Sequence, residues 1–220
     1  MTLQHQRLIK TKQRVEDHGE VLTSSDLVAK MLSLVNNESI RTESRYLEPA
    51  CGEGNFLVEV FKCKIDSILS RSTHLNTVDT ERSLVIAAGS LYGIDLLPDN
   101  VEICRTRLTA IVSESIDNHK HPLDCDALIR NIEYILECNI INGDALSLYY
   151  VSVPRSPIVF SEWTPINSHY VKRRDFTFRN LLQAESLNSL PLFSDTGHNV
   201  FIPEPCGDWA PVHYLKIYEL

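Results

Sequence analysis

A mainly parallel α/β sheet is the fold class that the sequence predicts. Three observations point to it. Short apolar runs alternate with stretches of helical periodicity, the order from which parallel strands and crossover helices are built. A glycine-bearing turn, Cys51-Gly52-Glu53-Gly54, stands between one such run and a helical stretch. Three runs also end at an acid: Glu48, Asp95 and Asp144. The 220 residues are 43% hydrophobic and 23% charged, which suits one ordinary globule with a real core.

The elements follow in chain order. Val21 to Val35 reads as a helix, with caps offered by Thr23, Ser24, Ser25 and Asp26 and apolar residues at helical spacing. Polar residues 36–45 form a loop, and Tyr46-Leu47-Glu48 is a short strand. From Asn55 the pattern is helical again, through Phe56, Leu57, Val60, Ile65 and Ile68. Residues 70–80 are polar and loop out before a short helix over 81–90 and a strand over 91–95. Pro98 and Asp99 open a helix with the stripe Val101, Cys104, Leu108, Ile111 and Val112. After a polar insertion at 117–126, a helix over 127–137 feeds the strand 138–141, which stops at Asn142-Gly143-Asp144. Ile158-Val159-Phe160 is a further strand, and Val212 to Leu220 alternates as a terminal strand would.

Composition excludes several classes. Lysine and arginine number 21 against 29 acids, so the net charge of −8 argues against coating nucleic acid by bulk charge. The N-terminal twenty residues hold no apolar core of a secretion signal, and no apolar run is long enough to cross a membrane. The six cysteines form no C-x-x-C pair and no disulfide framework, so a reducing cytoplasm is expected. His119, His121 and Cys125 are the nearest approach to a ligand cluster, and no metal is expected there.

The segment Leu47 to Leu57 carries the strongest signal. Two glycines between a strand and a helix let the backbone turn tightly and approach a ligand, with the unpaired N–H groups of the helix facing it. Glu48 at the strand end disfavours a pyrophosphate and favours a ligand bearing an ammonium or hydroxyls. Asp95 is placed to accept ribose hydroxyls and Asp144 an exocyclic amino group. Each acid alone would equally cap the helix that follows it.

Leu47-Glu48-Pro49-Ala50-Cys51-Gly52-Glu53-Gly54-Asn55-Phe56-Leu57 resembles the S-adenosylmethionine motif of class I methyltransferases, in the form found in DNA adenine-N6 methyltransferases of restriction–modification systems. Residues 18–24 are similar to the segment preceding it there, with Thr23 matching and Ser24 where proline is usual. Gly93-Ile94-Asp95 and Asn142-Gly143-Asp144-Ala145 resemble the next two motifs, although Asp95 follows Gly54 by an unusually long 41 residues. The resemblance implies a doubly wound, Rossmann-like sheet in three α/β/α layers with antiparallel last strands. It implies one domain: an N-terminal helical segment (1–45) closing over the cofactor, a cofactor-binding core (46–160), and a catalytic loop with terminal strands (161–220). By the same resemblance Thr23 and Glu48 lie near the methionine moiety and Asp95 on the ribose. The stretch Pro49, Ala50, Cys51, Gly52, Gly54, Asn55 and Phe56 then runs along the cofactor. Asp144 meets the adenine, flanked by Leu96 and Ala145.

The family's catalytic N/D-P-P-Y motif is absent. Ser161, Glu162 and Trp163 stand where it would fall. They are either a divergent catalytic set or the remnant of a silent one, and Trp163 would equally serve as core. Lys172, Arg173, Arg174 and Arg179 form the one basic, aromatic-interleaved stretch, suited to phosphates or to a solvated edge. Only 60 residues follow Phe160, which leaves little for target recognition. The expected function is therefore DNA adenine-N6 methylation as a short modification subunit, in a homo- or hetero-oligomer with a separate specificity or catalytic subunit. The alternatives are a catalytically silent cofactor-binding partner and a methyltransferase acting on a protein or small molecule.

Overall fold

The computed structural model describes residues 14, 16, 23–34, 40–71, 76–117, 125–188 and 203–220. It is a mixed α/β protein. In chain order the elements are α1 (Ser25–Leu34), β1 (Tyr46–Glu48), α2 (Asn55–Arg71), α3 (Thr77–Gly89), β2 (Leu91–Asp95), α4 (Pro98–Asp117), α5 (Cys125–Asn139) and β3 (Ile140–Asp144). Then follow β4 (Tyr149–Tyr150), β5 (Val159–Pro165), β6 (Tyr170–Thr177), α6 (Phe178–Asn188), β7 (Gly207–Asp208), β8 (Val212–His213) and a 3-10 turn, Ile217–Glu219. None of the described helices is long and apolar enough to cross a membrane.

Two sheets form. In the first, β1, β2 and β3 are parallel neighbours and β4 joins antiparallel. Glu48 pairs with Gly93 and Asp95 with Asn142, so the carboxyl ends of the three strands lie side by side. In the second, β6 is flanked by β5 on one edge and by β7 and β8 on the other, all antiparallel.

Side-chain alternation along β2 and β3 explains the layering. Leu91 and Ile140 face helices α2 to α5 and share a core with Leu57, Phe61, Leu108 and Ile132. Tyr92, Ile94 and Ile141 face the other way and pack against Ile158, Phe160 and Phe178. Four helices thus cover one face, while the β5–β6 hairpin and α6 cover the other. The expected last strands are antiparallel, but they do not extend the first sheet, and the expected third layer of helices is the hairpin with a single helix, α6, instead. The reason lies in the sequence after Asp144: the chain turns back through β4, without a crossover helix, to Ile158 and Phe160, whose apolar side chains close directly over the sheet.

Several boundaries differ from the sequence expectation. Helix α3 begins at Thr77 because Asn76 caps it, its side chain accepting from Asp79 N at 2.8 Å. Helix α5 extends through Asn139, two residues into the expected strand. The terminal alternation yields only Val212–His213 as strand, since Tyr214 and Ile217 turn inward to the core. Helix α1 starts at Ser25, with Ser24 accepting from Leu27 N at 3.4 Å, while Val21, Leu22 and Val35 lie outside the described residues, as do His119 and His121.

The loop that feeds β1 is held by a buried lysine. Lys64 on α2 is fully buried, and its ammonium donates to the carbonyls of Arg41, Thr42 and Ser44 at 2.6, 3.2 and 2.7 Å. Lys64→Met keeps the apolar stem and removes those charged donors. It is expected to lower stability in urea unfolding by about 2–3 kcal/mol.

Candidate functional site

The site is built where the chain leaves β1. Cys51 N donates to Ile94 O at 2.9 Å, tying the turn to β2, and Gly54 N donates to Cys51 O at 2.7 Å. Gly52 and Gly54 have φ of 51° and 79°, the left-handed region that glycine enters freely. At Gly54 a side chain is also sterically barred, because a Cβ would stand 2.4 Å from Cys104 Sγ. Arg107 of α4 locks the far side of the turn by donating to Glu53 O at 2.6 Å and Asn55 Oδ1 at 2.7 Å. The first N–H groups of the 17-residue helix α2 follow immediately, with the positive end of its dipole.

Two acids stand beside this turn. Asp95 Oδ2 accepts from Gly52 N at 2.8 Å, and Oδ1 accepts from Leu97 N at 2.9 Å and Asn100 Nδ2 at 3.1 Å. A carboxylate offers about four acceptor positions, so about one remains on Asp95 for a ligand. Glu48 is half-buried, and its Oε2 is a buried oxygen with no hydrogen-bond partner. Burial, with the nearby Asp95 charge, pushes the Glu48 carboxyl from an ordinary 4.5 up to about 8. Asp144, at the end of β3, is solvated. It accepts from Leu146 N at 2.9 Å, which holds its carboxyl below the ordinary range. In the fold it closes the local turn between β3 and β4, where no helix follows for it to cap.

The described neighbours complete the crevice. Asn55 Nδ2 donates to Thr23 O at 2.9 Å, so Thr23 lies against the start of α2. Pro49, Ala50 and Leu96 are exposed, Phe56 and Ala145 partly buried. Cys51 is buried, and hydrogen bonding with Cys104 and then burial push its thiol upward. It is a neutral packing group rather than a nucleophile. Sequence reasoning missed Arg107, Asn100 and Asn142. Asn142 Nδ2 donates to Asp95 O and Leu96 O at 3.1 and 3.0 Å, fixing the loop beneath the acids. The only signal for it was its place beside Gly143-Asp144. Among the described residues no group of three His, Cys, Asp or Glu side chains is gathered for a metal ion.

The catalytic candidates are elsewhere. Ser161 is 2% exposed, accepts from Asn139 Nδ2 through its carbonyl at 3.0 Å, and donates its hydroxyl to Asp175 Oδ1 at 2.7 Å. Trp163 is 5% exposed and packs on Gly89 and Tyr134. Glu162 is ion-paired with Arg45 and Arg174. Asn139 and Arg45 immediately precede β3 and β1, and Gly89 stands two residues before β2. All three candidates therefore sit at the amino ends of the parallel strands, roughly 15 Å of strand from the glycine turn. The core alternative for Trp163 is the one its surroundings match.

The basic stretch is strand β6 rather than a loop. Lys172 pairs with Asp208 at 2.9 Å, Arg173 with Asp175 at 2.8 Å and Arg174 with Glu162 at 2.5 Å. Three of its four cations are thus spent on carboxylates of the same chain, leaving Arg179 exposed at the start of α6.

No family model, curated protein or solved structure matches this chain.

Proposed function

We propose that the chain binds S-adenosylmethionine in the crevice at the carboxyl ends of β1, β2 and β3, as a class I methyltransferase-like cofactor module. The observation that carries this reading is the orphaned carboxyl oxygen of Glu48 beside an Asp95 with one acceptor position to spare. A buried acid without a partner is unfavourable for the fold and is explained if a ligand completes it. The cofactor's ammonium would meet Glu48, a ribose hydroxyl Asp95, and its carboxylate the N-terminus of α2. Asp144 would take the adenine amino group, between Leu96 and Ala145. When bound, the cofactor supplies an electrophilic methyl group on a sulfonium.

Of the roles open to such a module, a silent partner to a separate DNA adenine-N6 methyltransferase fits better than an enzyme in its own right. The specific reason is the position of Ser161, Glu162 and Trp163 at the opposite ends of the strands, packed and ion-paired. The test is transfer of a labelled methyl group. The chain alone should label neither adenine-containing DNA nor protein above background, and labelled N6-methyladenine would restore the enzyme reading. In parallel, Asp95→Ala removes the ribose acceptor and the staple on Gly52. Cofactor affinity should drop by about 1–3 kcal/mol in a calorimetric titration, and unchanged affinity in a folded variant would take Asp95 out of the site.

A further inference from the structure

A cavity of about 640 Å³ opens between the first sheet and the hairpin, on the face away from α2 to α5. Its walls are apolar: Leu47 and Tyr92 from the first sheet, Phe160 and Phe176 from the hairpin, and Leu182 from α6. Leu47 and Leu182 remain 42% and 39% exposed there, so the described fold leaves apolar surface uncovered inside a concavity. Its volume falls within the range of small-molecule sites, about 300–1,000 Å³.

One end of the cavity is charged. Glu162 stands between two guanidinium groups, its Oε1 accepting from Arg45 and its Oε2 from Arg174 at 2.5 Å. Two cations around one carboxylate leave this end with one positive charge in excess. The Arg174 guanidinium also lies over the Phe176 ring, 5.7 Å from its centroid, and its Nε is a buried donor without an acceptor. A buried N–H of this kind calls for an acceptor that the described chain does not provide.

We infer that this cavity binds a small amphipathic monocarboxylate, its apolar body against Leu47, Tyr92, Phe160 and Phe176 and its carboxylate at Arg45 and Arg174. A monoanion matches the single excess charge, whereas a phosphate dianion would leave net negative charge against Glu162. The planar fork of arginine suits a carboxylate, which would also supply the acceptor missing at Nε. The site shares no residue with the proposed cofactor crevice and stands independently of it.

Displacement of anilinonaphthalene sulfonate fluorescence by decanoate and by decanol tests this. For the native chain, decanoate should displace the dye at a concentration lower by about tenfold or more than decanol. Arg45→Met, at a largely exposed side chain, and Arg174→Met should both narrow that ratio toward one while leaving decanol unchanged. Leu182→Trp fills the cavity and should raise both midpoints by about tenfold, with the melting transition preserved as the control for folding. Equal displacement by decanoate and decanol from the native chain would overturn the assignment. So would a folded Leu182→Trp that binds decanoate as the native chain does.

Discussion

Glu48→Gln is expected to make the folded protein more stable, by an amount that grows with pH. In the unfolded chain Glu48 ionises near its ordinary 4.5, whereas in the folded chain the carboxyl keeps its proton up to about 8. The unfolded state therefore gains an ionisation that the folded state is denied. The contribution of this group to stability is complete below pH 4.5 and is lost as pH rises through 8. Glutamine resembles the protonated acid at every pH and lacks this slope. Urea unfolding should show the variant and native chains equal in acid and the variant ahead by about 2–4 kcal/mol at pH 8. On the proposed reading the same change also removes the partner of the cofactor's ammonium, so stability and affinity should move in opposite directions, as they do at sites kept for function. A variant that loses stability at pH 8 would mean that Glu48 is a satisfied structural carboxylate.

The second large effect is expected at the buried polar knot beneath the hairpin. Asp175 is 7% exposed and accepts from Arg173 Nε and Nη2 at 2.8 and 2.9 Å and from Ser161 Oγ at 2.7 Å. Burial works against the Arg173 charge, and Asp175 more than restores it, so the guanidinium is held more firmly charged than usual. It also donates to Tyr134 at 2.7 Å and stacks 4.4 Å from the Trp209 ring centroid, joining α5 to the second sheet. Asp175→Ala leaves that cation buried without its counter-charge. A loss of about 3–5 kcal/mol is expected, and with it a melting temperature lower by roughly 10 °C. Adding Arg173→Met should recover much of the loss, because the unpaired charge rather than the missing contact is the larger penalty. Should Asp175→Ala melt as the native chain does, the ion pair is not what holds the second sheet to α5.

The crevice was legible in the sequence because each of its parts is local. Gly52 and Gly54 are required by their own φ angles, and Glu48 and Asp95 are acids ending apolar runs. Two features were not legible, one because no local pattern marks its residues and one because it depends on contacts between distant segments. Arg107 and Asn100 reach the turn and Asp95 from α4, and neither stands in a pattern that marks it. The hairpin is the larger case. Ile158-Val159-Phe160 reads as a strand, but nothing local says whether it joins β1 or lies across the sheet. That choice rests on Phe160 meeting Tyr92 edge-on at 5.3 Å and Phe178 at 5.5 Å. It decides the fate of Ser161 and Trp163, which alternate inward on β5 and are buried against Asp175 and Gly89. The pairing of the basic stretch is a related case: Asp175 stands two residues from Arg173 on the same strand, but Glu162 and Asp208 reach Arg174 and Lys172 only once β5, β6 and β7 pair.

The most direct measurement is calorimetric titration of the native chain with S-adenosylmethionine and S-adenosylhomocysteine at pH 7, in two buffers of different ionisation heat. Both ligands should bind at micromolar concentration, since both carry the ammonium, ribose and adenine. The apparent enthalpy should also differ between buffers, because an ammonium beside Glu48 displaces the proton that this carboxyl holds up to about pH 8. A folded sample that takes up neither ligand would contradict the account. The glycine turn and its acids would then be the scaffold of a strand–helix junction and nothing more.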